Sequence, residues 1–193
     1  MIVITVDQVN SRHEFDRIPT LLETLTTSTT QLLERTAGDE AQGVFSDPGD
    51  ALRVILWAIR DGHWHLGIGA GQATVPAGDT PRAGSGPAFI AAREAVEAAK
   101  SELNSIAVRS QSHPIEASQL ESLLKLYAAL AQRRTPRQWE IIDAFIEGGS
   151  GKGAAELLAV TAQTISQSLQ ASAWREEAGT YGLALELLKR ISR

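Results

Sequence analysis

The sequence predicts an α+β protein, with a sheet-bearing part over residues 1–112 and an all-helical part over residues 113–193. Two observations predict this. Up to residue 112, short apolar runs bounded by Gly, Pro and Asp alternate with amphipathic stretches. From His113 onwards the apolar spacing is wholly helical, and Pro114 with its polar neighbours marks the change. Charge follows the same division. Of 18 Lys/Arg and 23 Asp/Glu, residues 113–193 hold nine of each, so the net charge of −5 falls on the first part. An acidic region does not attract polyanions, which makes the helical part the better candidate for contact with nucleic acid.

The elements follow in order. "MIVITVD" is a continuous apolar run ending in an acid, the pattern of an interior strand. It lacks a basic flank, so it reads as a strand and not as a signal peptide. "RIPTLLETLTTSTTQLLE" spaces Leu21, Leu22, Leu25, Leu32 and Leu33 as a helix with a weak Thr-rich middle. "RTAGDEAQGVF" is a hairpin, and "DPGDALRVILWAIRDG" a helix with Asp50 near its start and Gly62 beyond its end. "HWHLGIGAGQATV" is a strand through His65 to Gly71, its glycines marking close backbone approach. "GPAFIAAREAVEAAKSE" is a helix and "SIAVRS" a closing strand. The order β-α-β-β-α-β-α-β is that of a ferredoxin-like core with additions.

Composition narrows the chemistry. The chain has no cysteine, which removes disulfides, thiolate metal sites and Cys catalysis. No apolar run approaches the roughly 20 residues of a membrane span, so no membrane partner is expected and the expected location is cytoplasmic.

Gly38-Asp39-Glu40 puts two adjacent negative charges between strand-like segments. One reading is a surface turn, since Gly and Asp favour turns. The other is a carboxylate placed to bind a metal ion. Asp7 ends the first strand and Asp39 sits in the hairpin expected beside it. Two such carboxylates can share a divalent cation, and Mg²⁺ usually takes one or two carboxylates together with substrate phosphates. Glu40 is expected on the opposite face from Asp39 by strand alternation. His63 and His65 are two apart on a strand and lack a third ligand nearby, so they read as exposed strand residues. Trp57 and Trp64 read as packing. "GGSGKG" (148–153) departs from a phosphate loop, which needs Gly at 146 and Ser or Thr at 153, where this chain has Ile146 and Gly153. It reads as a linker between helices.

"ITVDQVNSR", "RTAGDEAQGVF", "HLGIGAGQA" and "GPAFIAAREA" resemble, in order and spacing, the motifs of class III nucleotidyl cyclase domains. With the helical region, nearly the whole chain resembles the SatD family, which joins such a domain to a helix-turn-helix. The resemblance implies a cyclase-like sheet domain, a Mg²⁺ or Mn²⁺ ion on Asp7 and Asp39, and a nucleotide against Ser11, Arg35, Gly38 and Arg93. Arg35 matches a base-selecting lysine, and Arg93 lies on the helix of the transition-state arginine, the one catalytic candidate if the chain is a cyclase. The chain departs from the cyclases at Phe89, where they carry Asn, and Gly86 to Arg93 is one residue shorter. Cyclase sites assemble across a dimer, and loss of a positioned polar group weakens orientation and charge stabilisation. Ligand binding without turnover is therefore expected.

In the helical part, "TPRQWEIIDAFIEGG" carries Thr135 as N-cap, Pro136 at the first helical position and Gln138 completing a capping box. "AAELLAVTAQTISQSLQASAW" fits a helix-turn-helix. Ala155 is small at the crossing, Ala159 stands where glycine is usual, and Leu157, Leu158 and Val160 are expected in the core with Ile165 and Leu169. The outward candidates for DNA are Thr161, Gln163, Thr164, Gln167, Ser168 and Gln170, with Lys152 and Arg175 beside them. Amides and hydroxyls can read base edges. Arg133, Arg134 and Arg137 are further nearby cations. The recognition helix itself has no Lys or Arg, so a homodimer with two half-sites is expected to supply affinity. The alternative for these helices is a bundle used for dimerisation. The final apolar stripe in "GLALELLKRI" packs inside the domain or across a dimer. The expected function is a DNA-binding regulator that senses a nucleotide. The alternatives are a divergent nucleotidyl cyclase acting on ATP or GTP, and a non-catalytic scaffold.

Overall fold

The computed structural model describes residues 1–26, 33–76 and 80–193, and shows an α+β protein. Five strands, β1 (Ile2–Gln8), β2 (Leu33–Ala37), β3 (Glu40–Phe45), β4 (Trp64–Ala70) and β5 (Ile106–Ser110), form one sheet in the order β2-β3-β1-β4-β5. All neighbours are antiparallel except β4 and β5, which are parallel. β1 is central because it is apolar on both faces: Ile2, Val3, Ile4 and Val6 have no exposed surface.

Three helices interleave with the strands: α1 (Ile18–Thr26), α2 (Pro48–Asp61) and α3 (Pro87–Ala99). The helix expected over residues 17–34 is shorter than its leucine spacing implies. Leu33 and Glu34 pair with Gly43 and Gln42 of β3, because strand pairing outweighs local spacing. Residues 27–32 of that expected helix, Leu32 among them, lie outside the described residues. α2 keeps Asp50 in its first turn and Gly62 beyond its end, closing the helix at φ 75°, while the cap itself is Asp47, which accepts from the Gly49 N–H.

α3 crosses the sheet very closely. Its inner face is alanine, and a methyl group at Gly67 or Gly69 of β4 would strike the α3 backbone at Val96, or at Ala88 and Ala92. This is the close approach that the glycines of "HLGIGAG" imply. Val3, Val44, Ala88 and Ala92 form the core on this face. Ile2, Ile4 and Val6 point the other way and are equally buried.

After β5 come α4 (Pro114–Ala131), α5 (Pro136–Gly148), α6 (Gly151–Leu158), α7 (Ala162–Ala171), α8 (Trp174–Ala178) and α9 (Tyr181–Ile191). The chain forms two compact units, one of residues 1–128 with 183–193 and the other of residues 129–182. The sheet unit thus includes most of α4 and most of α9, beyond the pattern change at residue 113. Ala184, Leu187, Leu188 and Ile191 of α9 are buried, and the Met1 ammonium donates to the Ser192 carbonyl at 2.9 Å. The apolar stripe of α9 is therefore covered within one chain.

The second unit has its own core of Ile141, Ile142, Ala144, Ala154, Ala155, Ile165 and Leu169. Thr135 and Gln138 make the expected capping box on α5. Gly148 and Gly153 allow the backbones of α5 and α6 to meet. Beneath this core Arg134 and Glu177 form an ion pair at 2.7 Å with side chains 1% and 5% exposed. Among the described residues no helix is long and apolar enough to cross a membrane.

Candidate functional site

Three places carry the residues singled out from the sequence. The first is a hollow of about 470 Å³ where the loop after β1 meets the β2–β3 turn, lined by Gln8, Ser11, Arg12, Asp16, Arg35 and Asp39 among others. Backbone pairing builds it: the Gln8 N–H donates to the Asp39 carbonyl at 3.0 Å. The Gln8 side chain donates to the Phe15 carbonyl at 2.8 Å and accepts from the Arg17 N–H at 2.9 Å, which folds the loop over the strand end. Ser11 Oγ donates to Asp39 Oδ2. Arg35 donates to the Gly38 carbonyl and to Asp16 Oδ2, each at 2.6 Å. That hydrogen bond from Arg35 holds the Asp16 carboxyl below its usual range. Ser11, Arg35, Gly38 and Asp39 are thus brought together.

Asp7 has a different setting. It is in register with Glu40 on β3 and His65 on β4, and its carboxylate lies 3.1 Å from Lys100 Nζ. Lys100 also lies 2.9 Å from Glu97. The hydrogen bond that Lys100 donates to Glu97, opposed by burial and reinforced by Asp7, raises the Lys100 ammonium above its ordinary range. Burial lowers the His65 imidazole, the nearby charges of Asp7, Lys100 and Glu97 acting in smaller measure. His65 is half-buried, with an Nδ1 that has no hydrogen-bond partner. His63 is also half-buried and sits 3.2 Å from Asp61. Asp7 does not line the hollow that holds Asp39. Among the described residues no group of three or more His, Asp or Glu is arranged to hold a metal ion. Lys100 thus lies against the Asp7 carboxylate and Ser11 against that of Asp39.

Arg93 lies apart from Ser11, Arg35 and Gly38. It projects from α3 into a second cleft of about 590 Å³, lined also by Gln42, Arg82, Ser85, Phe89 and Glu94. Phe89 packs its ring against Gly84. Arg82 and Gln42 had no motif to announce them. No sequence signal links Lys100 to Asp7, which lies 93 residues away and meets it only in the fold.

The third place is the α6–α7 pair. Ser150 caps α6 by accepting from the Gly153 N–H, so the expected linker is a tight N-cap with Lys152 already on the helix. Ala159 adopts the left-handed conformation at φ 51° between the helices. Thr161 then caps α7, accepting from the Thr164 N–H at 3.1 Å. Ile165 and Leu169 are buried, whereas Gln163, Thr164, Gln167 and Gln170 are exposed and Ser168 is half-buried. Lys152 is exposed beside Glu156, and the Arg175 guanidinium sits 5.7 Å from the Phe145 ring centre. Two expectations change. Leu157 is 52% exposed, so Leu158 and Val160 pack on the core without it. Arg134 is buried with Glu177, and its Nε donates to the Ser172 carbonyl at 3.1 Å, so it is not a surface cation.

Compared with known protein families, curated proteins and solved structures, the chain finds no match in any of the three.

Proposed function

We propose that this chain is a homodimeric DNA-binding transcriptional regulator whose sheet unit senses a nucleotide. The observation that carries the reading is the α6–α7 pair, in which a left-handed Ala159 and a Thr161 cap present a helix with Ile165 and Leu169 inward and Gln163, Thr164 and Gln167 outward. That is how a helix-turn-helix offers amides and hydroxyls to a major groove. A ferredoxin-like, cyclase-like sheet is supported by the antiparallel order β2-β3-β1-β4 with helices between β1 and β2 and between β3 and β4. In this reading the nucleotide lies in the Ser11–Arg35–Asp39 hollow. Mg²⁺ or Mn²⁺ enters only if Asp7 exchanges Lys100 for it.

Fluorescence anisotropy with duplex DNA tests the main reading. Because phosphate contacts release counterions, binding at low salt should weaken steeply as salt rises. Gln167→Ala should then reduce discrimination between sequences more than overall affinity. Absence of any binding by the dimer at low salt would sink the proposal. The alternative is a divergent cyclase, for which a cyclic product from ATP or GTP, lost in Asp7→Ala, is the test. A chain that answers neither test, and whose melting temperature ignores every nucleotide with Mg²⁺ or Mn²⁺, is a scaffold.

A further inference from the structure

The cleft on the α3 side of the sheet is lined by two guanidinium groups, those of Arg82 and Arg93, and by one carboxylate, that of Glu94. Arg17, Arg35, Arg53, Arg109, Arg134 and Arg137 each lie against a carboxylate. Among the described residues Arg82 and Arg93 have no ion-pair partner, although both line the same cavity. Glu34 accepts from the Arg82 backbone N–H and so fastens the loop to β2. The chain carries a net charge of −5, so this concentration of positive charge is local and not a general property of its surface.

The walls are held in place. Thr74 and Ser85 exchange two backbone hydrogen bonds of 2.9 Å, and the absence of a side chain at Gly84 lets the Phe89 ring close against the loop. Gln42 Nε2 donates to Thr5 Oγ1 at 2.9 Å, which fixes the amide at the cleft floor. The first amides of α3 are already engaged, Ala88 N–H with the Gln72 carbonyl and Phe89 N–H with the Gly86 carbonyl, each at 3.1 Å. Recognition of an anion therefore falls to the side chains and not to the helix terminus. Planar guanidinium forks match the oxygens of a phosphate, and a site built before the ligand arrives lowers the cost of binding.

We infer that this cleft binds a small organic phosphate within a single chain, its phosphoryl oxygens on Arg82 and Arg93. The cavity of about 590 Å³ is far larger than a bare phosphate and falls in the range of small-molecule sites. Phe89 and Ile90 offer an apolar wall for the body of the ligand, and Glu94 an acceptor for its hydroxyl or amino groups. The inference goes beyond the regulator reading and does not rest on it: the site lies outside the Asp39 hollow and needs neither DNA nor a divalent cation.

Calorimetric titration of the full chain in EDTA, with inorganic phosphate, glucose 6-phosphate and AMP as probes, tests it. At least one ester should bind saturably and more tightly than inorganic phosphate. Arg82→Gln and Arg93→Gln should each weaken that binding by about tenfold or more, the usual loss of a charge-assisted contact, and Arg190→Gln on α9 should leave it unchanged. Arg82 and Arg93 are both exposed, so neither substitution removes core packing. Inorganic phosphate binding as tightly as the esters would overturn the organic ligand. No saturable binding of any probe, binding that survives both cleft variants, or an equal loss in Arg190→Gln would overturn the site.

Discussion

Arg134 and Glu177 make the largest single-residue prediction. Their 2.7 Å contact is an ion pair without aligned hydrogen-bond geometry, supported by Arg134 Nε on Ser172, by Tyr181 Oη donating to Glu177 at 2.6 Å and by the Trp139 ring 4.9 Å from the guanidinium. Arg134→Ala leaves the Glu177 carboxylate buried and unpaired, and should cost about 3–5 kcal/mol. A double change to apolar residues of similar volume should recover much of the loss, as read from urea unfolding of the helical unit. Ala159 offers the opposite sign. A non-glycine residue in the left-handed region carries strain of about 1–2 kcal/mol. Ala159→Gly should therefore raise stability by up to about 1 kcal/mol after its own chain-entropy cost of about 0.5–1 kcal/mol. His65 sets a pH dependence. Burial holds its imidazole below the ordinary range, so the folded state resists the proton that the unfolded state accepts. Its contribution is complete above about pH 6.5 and is lost as pH falls below that value. His65→Gln should flatten the difference in denaturation midpoint between about pH 7.5 and 5.5.

Among the elements, α3 is the least forgiving. Gly69→Ala would put a methyl into the backbone of Ala88 and Ala92, and α3 could relieve it only by leaving the sheet. A loss of about 1–3 kcal/mol or more is expected, measured as a lower thermal midpoint of the sheet unit. This constraint was legible in the sequence, because two glycines in a strand otherwise rich in apolar residues had no other physical use. The capping box of α5 and the end of α2 were legible for the same reason: Thr135, Gln138 and Gly62 act on neighbours a few residues away. What was illegible depended on distant partners. Leu33 kept a helical spacing until β3 paired with it. Leu157 looked like core but lies on the outer side of a short helix. Asp7 meets Lys100 and Asp39 meets Ser11 across 93 and 28 residues of sequence, contacts that only the fold makes. The Ser11–Arg35–Asp39 half of the candidate site could be read in advance. The Arg82–Arg93 cleft could not, since only the fold brings them together.

At the scale of the molecule, the helical unit of residues 129–182 is an insertion into the sheet unit, which resumes at Leu183. Removing residues 183–193 should therefore weaken the sheet unit and not the helix-turn-helix, because Leu187, Leu188 and Ile191 would be withdrawn from its core. A truncated chain should show an early melting transition in the strands, followed by amide exchange, while Ile165 and Leu169 stay protected. The Met1–Ser192 hydrogen bond carries a further consequence. It joins the first residue of the central strand's lead-in to the residue after α9, inside one unit, so fraying at either terminus should loosen the other and amide exchange at β1 and at α9 should rise together.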